Sequence, residues 1–133
     1  KYCQIDIQAY VQMANGERFV MAQVEDPEIL SELEDIAKLN GIDIVFFGPG
    51  DFSQGVGAPG DFNHPKVIET REKVATVCKQ YGKFCSTPCS LQQMEEYIKM
   101  GYNFLNLGAD VIGLGQYWKD LMNQARKILS RSI

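Results

Sequence analysis

Three polar residues stand where short apolar runs end. Gln23 and Glu25 close the run from Phe19 to Val24, and Asp51 follows the run from Ile42 to Phe47 across Gly48-Pro49-Gly50. If the first run is a strand, its two-residue period puts Phe19, Met21, Gln23 and Glu25 on one face and Val20, Ala22 and Val24 on the other. Two polar groups then finish an otherwise apolar face. Parallel neighbours lie about 4.8 Å apart, so the carboxylates of Glu25 and Asp51 can converge on one ion. Two hard oxygen ligands suit Mg2+ or Mn2+, with water or substrate completing an octahedron, whereas zinc calls for His or Cys that are not placed for it. A structural role competes at each position: Glu25 solvated in a turn, Gln23 bonded to a neighbouring strand, Asp51 in an Asx-turn.

Other chemistries find less support. Gly48-Pro49-Gly50-Asp51-Phe52-Ser53 has the strand-then-glycine look of a dinucleotide loop, but Ser53 replaces the third glycine and a carboxylate sits where phosphates would meet backbone N–H groups. Neither G-x-x-x-x-G-K nor G-x-S-x-G occurs. His64, the single histidine, would be the natural base at neutral pH, yet it directly precedes Pro65, which points to helix capping. No residue is therefore assigned as the catalytic acid or base.

The elements that must position these residues alternate between short β-branched or aromatic runs and longer stretches with helical periodicity, the pattern of parallel βα units. Residues 19–24 read as a strand, and Asp26-Pro27-Glu28 opens a helix reaching about Leu39. The strand Ile42–Phe47 is followed by a long glycine-rich loop from Gly48 to Gly60 carrying Asp51 and Ser53. Asn63 or His64 caps a helix from Pro65 to Gly82, and Lys83–Ser86 is the third strand. Ser90-Leu91-Gln92-Gln93 matches a capping box for a helix to Met100, which Gly101 closes before the fourth strand, Asn103–Leu107. A last helix begins near Gln116, with Trp118, Met122, Ala125 and Leu129 in one apolar stripe. Residues 4–14 form another helix, turning at Asn15-Gly16 into the first strand.

Composition bounds the function classes. The 133 residues are 45% hydrophobic and 23% charged, which suits a globular domain able to bury a core. A net charge of -4 and a pI near 5.0 leave no basic footprint for nucleic acid. No apolar run approaches the roughly 18 residues that span a bilayer, and no signal-peptide pattern is visible, so the expected compartment is the cytoplasm. Among the four cysteines, Cys85 and Cys89 form C-x-x-x-C, which is neither a redox motif nor a zinc knuckle. Reduced thiols are expected, with Cys78 on a buried helix face and Cys85 in a buried strand.

Four βα units fit either a complete flavodoxin-like sheet or half of a (β/α)8 barrel, a fold of about 250 residues. Spacing alone does not choose between them. The joint motif does: Gln23-Val24-Glu25, Gly41-Ile42-Asp43, Gly48-Pro49-Gly50-Asp51-Phe52-Ser53 and His64-Pro65-Lys66-Val67, in this order and spacing, resemble the HpcH/HpaI aldolases. Gly101-Tyr102-Asn103-Phe104 through Gly108-Ala109-Asp110 echoes the later family pattern. Departures are Val24 for isoleucine, Phe52 for leucine, and Gly50 where alanine or serine is usual.

The resemblance implies the C-terminal half of an α/β (β/α)8 TIM-barrel domain, strands five to eight, over residues 1–133. It implies a divalent metal (Mg2+, Mn2+ or Co2+) on Glu25 and Asp51, Gln23 contacting a bound 2-oxo acid, and backbone N–H groups of Gly50 and Asp51 receiving its carboxylate. The reaction implied is cleavage or formation of a carbon-carbon bond between pyruvate and an aldehyde, of the 2-dehydro-3-deoxyglucarate or 4-hydroxy-2-oxoheptanedioate type, with the metal stabilising the enolate. Family members carry a histidine and an arginine on earlier strands, so this chain is expected to be a fragment, inactive by itself. The last helix is expected to join subunits of a homo-oligomer. A citrate lyase β-subunit or malyl-CoA lyase, or a non-catalytic flavodoxin-like binding domain, are the alternatives.

Overall fold

The computed structural model describes residues 4–130. Four parallel strands, β1 (Met21–Val24), β2 (Ile44–Phe47), β3 (Phe84–Pro88) and β4 (Phe104–Asn106), form one sheet in the order β1-β2-β3-β4. A flavodoxin-like sheet would instead cross over, with its second strand outside the first. Consecutive order with every pair parallel excludes that alternative among the described residues.

The strands are short, and one face of the sheet packs against helices. Val24, Val45, Phe47 and Cys85 point into a core completed by Leu33 and Ala37 of α2 (Leu33–Lys38), by Val67, Val74, Ala75, Val77 and Cys78 of α4 (Pro65–Tyr81), and by Tyr97 of α5 (Met94–Met100). On the opposite face, across which no helix packs, Met21, Gln23, Phe84 and Phe104 are exposed while Ile44 and Ser86 in the middle of the sheet are buried. The ring of Phe19, just before β1, lies 6.0 Å from that of Phe104 on β4. In a flat sheet three strand spacings would hold those strands about 14 Å apart. The sheet is therefore curled, with the helix-free face concave.

Local signals act where residue chemistry demands them. His64 is the N-cap of α4, its Nδ1 accepting from the Lys66 N–H at 3.3 Å, and Pro65 occupies the first helical position. Gly82 ends α4 at φ 65° and Gly101 ends α5 at φ 120°, both conformations that favour glycine. Below the strands, side chains stand in for ladder bonds. Asp43 Oδ2 accepts from the Val20 N–H at 2.8 Å, Asn103 Oδ1 accepts from the Cys85 N–H at 2.8 Å, and Lys83 Nζ donates to the carbonyls of Leu39 and Ile42.

Several boundaries differ from the expected ones. The segment after β2 is not a loop throughout: α3 spans Pro49–Gly55, because Pro49 is preset for a first turn and Phe52 and Ser53 bury against the core. The region after Asp26 divides into a 3-10 helix, Pro27–Ser31, and the separate α2. The first helix, α1, runs Ile7–Glu17 from an Asp6 cap and takes Asn15-Gly16 into its last turns instead of turning there. At Ser90 only half of the capping box forms. Gln93 Oε1 accepts from both the N–H and the hydroxyl of Ser90, and α5 begins at Met94. The last helix, α6 (Asp110–Leu129), starts well before Gln116, and none of its residues is buried.

Cys78 and Cys85 are free and buried, as expected, Cys89 is likewise free and buried, and Cys3 lies outside the described residues. No helix among the described residues is long and apolar enough to cross a membrane.

Candidate functional site

Strand pairing brings the ends of β1 and β2 side by side. Val24 is in register with Phe47, and its carbonyl accepts from the Gly48 N–H at 2.9 Å. Gln23 and Glu25, two residues apart, lie on the same side as the strand period requires, and the Gln23 amide Nε2 donates to Glu25 Oε2. Gly48 closes against both. A Cβ built there would stand 3.2 Å from Gln23 Nε2, 3.2 Å from Glu25 Cβ and 3.4 Å from Glu25 Oε2. A side chain at this position would crowd the polar pair, so the close approach of the β2 end to Gln23 and Glu25 calls for glycine.

Asp51 enters from α3, whose cap is Gly48, so the carboxylate sits in the first turn of the helix that follows β2. Its Oδ1 accepts from Gln54 Nε2 at 3.2 Å, and the residue is exposed. Gly50 is exposed at the same turn. Glu25 is half-buried and Gln23 exposed, all at the C-terminal ends of β1 and β2. His64 is engaged as a helix cap on a different element.

Among the described residues no three His, Cys, Asp or Glu side chains gather into a cluster. Glu25 and Asp51 offer two carboxylates, the number with which Mg2+ is commonly held when waters and substrate complete its shell.

Ser53, buried completely, ties the approach to the site: its hydroxyl donates to the Gly50 carbonyl at 2.6 Å and accepts from the Gly60 N–H at 2.9 Å. Sequence placed Ser53 in a loop without this role. The signal that could have revealed it is a buried-type Phe-Ser pair inside a glycine-rich stretch, with Pro49 at its start.

A profile of the HpcH/HpaI aldolase/citrate lyase family matches residues 2–114. The chain belongs to that family. Among curated relatives, a 4-hydroxy-2-oxo-heptane-1,7-dioate aldolase of Escherichia coli is 31% identical over 102 residues, covering 76% of this chain and 39% of the relative. Among solved structures, an HpcH/HpaI aldolase/citrate lyase family protein of Burkholderia cenocepacia J2315 superposes with a TM-score of 0.79 at 30% identity, covering 90% of this chain and 47% of the other. An HpcH/HpaI aldolase of Desulfitobacterium hafniense DCB-2 gives 0.78 at 28% identity, covering 95% and 49%. The chain thus spans about two fifths of the curated HpcH/HpaI relative and about half of the solved ones.

Proposed function

We propose that this chain is the C-terminal half of a (β/α)8 barrel and carries the metal-binding side of a divalent-metal-dependent pyruvate aldolase. The observation that carries the reading is the bonded pair Gln23 and Glu25 against Gly48, at the strand ends from which α3 presents Asp51. Barrel enzymes do their chemistry at the C-terminal ends of their strands, and Gln23, Glu25 and Asp51 each lie at such an end. Family membership and the activity named for the curated relative support the same chemistry.

Glu25 and Asp51 would hold Mg2+, Mn2+ or Co2+. When bound, that cation supplies positive charge against the negative charge that develops on the oxygens of a 2-oxo acid such as pyruvate. The protein's own groups bind and orient. Gln23 holds Glu25 by one amide hydrogen and has a second for the oxo acid. The N–H groups of Gly50 and Asp51, in the first turn of α3, have no acceptor within the helix and are donors for the acid's carboxylate. The carbon-carbon partner is an aldehyde, of the 4-hydroxy-2-oxoheptanedioate or 2-dehydro-3-deoxyglucarate type. The cytoplasm is the proposed compartment.

Chelation tests the reading. The full-length protein loses pyruvate-aldehyde turnover in EDTA and regains it with Mg2+, Mn2+ or Co2+. Undiminished turnover after exhaustive chelation removes the metal from the proposal.

A further inference from the structure

Pro27 and Gly55 are in tighter contact than any side chain could tolerate. A Cβ on Gly55 would fall 2.5 Å from Pro27 Cδ and 3.0 Å from Pro27 Cγ. The two residues belong to different connections: Pro27 opens the 3-10 helix after β1, two residues beyond Glu25, and Gly55 ends α3 after β2, four residues beyond Asp51.

Both sides of this contact are stiff. The Pro27 ring locks its own φ, and Asp26 caps the 3-10 helix by accepting from the Glu28 N–H at 2.9 Å. On the other side Asp51 and Gly55 both belong to the short helix α3 (Pro49–Gly55), whose Ser53 hydroxyl donates to the Gly50 carbonyl and accepts from the Gly60 N–H. A displacement at Gly55 therefore travels back one helical turn to Asp51, and one at Pro27 travels back to Glu25. Backbone, and not a side chain, links the contact to each carboxylate: Asp26 alone separates Pro27 from Glu25, and one helical turn separates Gly55 from Asp51.

We propose that the Pro27–Gly55 contact sets the spacing of Glu25 and Asp51, making both residues positioning residues for a divalent cation. This rests on the reading of those carboxylates as cation ligands. A methyl group at Gly55 would have to move about 1 Å or more away from the proline ring to reach ordinary carbon-carbon contact. The ring cannot swing aside, so the two connections part. Misplaced supporting groups around metal ligands cost about 10–100-fold in affinity. Removing the ring carbons relieves the collision at its source.

The test is Mn2+ binding to the full-length protein, read from the paramagnetic signal of the free ion, with circular dichroism confirming that each variant is folded. Gly55→Ala binds about 10–100-fold more weakly, and the double variant Pro27→Ala/Gly55→Ala recovers affinity close to that of the unaltered protein. Unchanged binding by Gly55→Ala overturns the proposal, as does a loss that the double variant fails to restore. Glu25→Gln and Asp51→Asn separate the two levels. If both bind Mn2+ normally, the cation reading itself fails; if both lose it while Gly55→Ala keeps it, only the positioning contact falls.

Discussion

Phe104 is level in strand register with Ser86, Phe46 and Gln23, yet its ring packs edge-on against Phe19, 6.0 Å away and four residues before Gln23. Crossing three strand pairs with a four-residue offset is a stagger of about one residue per strand. An eight-stranded parallel barrel with a shear of about 8 has that stagger. The contact spans the open concave face and joins the two edge strands.

This pair yields the first prediction. In the full-length protein, a double-mutant cycle between Phe19→Leu and Phe104→Leu gives a coupling of about 0.5–1.5 kcal/mol, the usual worth of an edge-to-face aromatic pair. Urea unfolding measures it. A coupling indistinguishable from zero would mean that the rings do not hold the edges together.

The carboxylates supply the second. Glu25→Ala or Asp51→Ala leaves the fold intact, because both side chains lie at the solvent-facing strand ends outside the core. Turnover of pyruvate-derived substrate in the full-length protein drops by at least about 10²-fold in either variant, as when one preorganised electrostatic group is removed. Steady-state kinetics near the wild-type level in one variant would strike that residue from the site.

Buried acids give a pH dependence. Burial first, then the charge of the neighbouring Cys85, pushes the Tyr102 phenol well above the ordinary tyrosine range. Its hydroxyl donates to the Arg71 carbonyl at 3.0 Å inside the core. A folded-state value above the unfolded one means that the stabilisation is complete below about pH 10 and erodes as pH rises further, by up to about 1.4 kcal/mol per pH unit. Urea midpoints measured between pH 9 and pH 11 fall accordingly, and Tyr102→Phe makes the fall shallower. An identical slope in the variant would show that another group causes it.

The exposed face of α6 gives the fourth. Trp118 and Met122 are 54% and 50% exposed on a helix with no buried residue, next to Leu121 and Leu129. Such a stripe calls for a partner surface, and in the homo-oligomer that the family resemblance leads one to expect, another subunit would provide it. Trp118→Glu/Met122→Glu in the full-length protein shifts the mass found by light scattering to a smaller assembly. An unchanged mass would take α6 out of the subunit contact.

Much of this was legible along the chain because it is local. Pro65 after His64, glycines at 82 and 101, and the alternation of β-branched runs with helical periods each act within a few residues, and the four strands and the helix between Pro65 and Gly82 that they announce are present, although the helix expected after Asp26 is split in two. Glu25 and Asp51 could be named because each follows the end of a strand pattern and because the motif around them resembles the family's, and both lie just beyond the C-terminal ends of β1 and β2. Tertiary contacts decided the rest. The glycines around Asp51 argue against helix by propensity, but Phe52 packs 5.4 Å from Phe47 and Ser53 is held at both ends, so the segment folds as α3. Gly48 and Gly55 look like ordinary loop glycines until Glu25 and Pro27 are seen against them. The curl of the sheet depends likewise on Phe19 meeting Phe104 from the far edge. A residue pattern records the period of its own element; which distant surface that element meets is set by packing among groups that are neighbours only after folding.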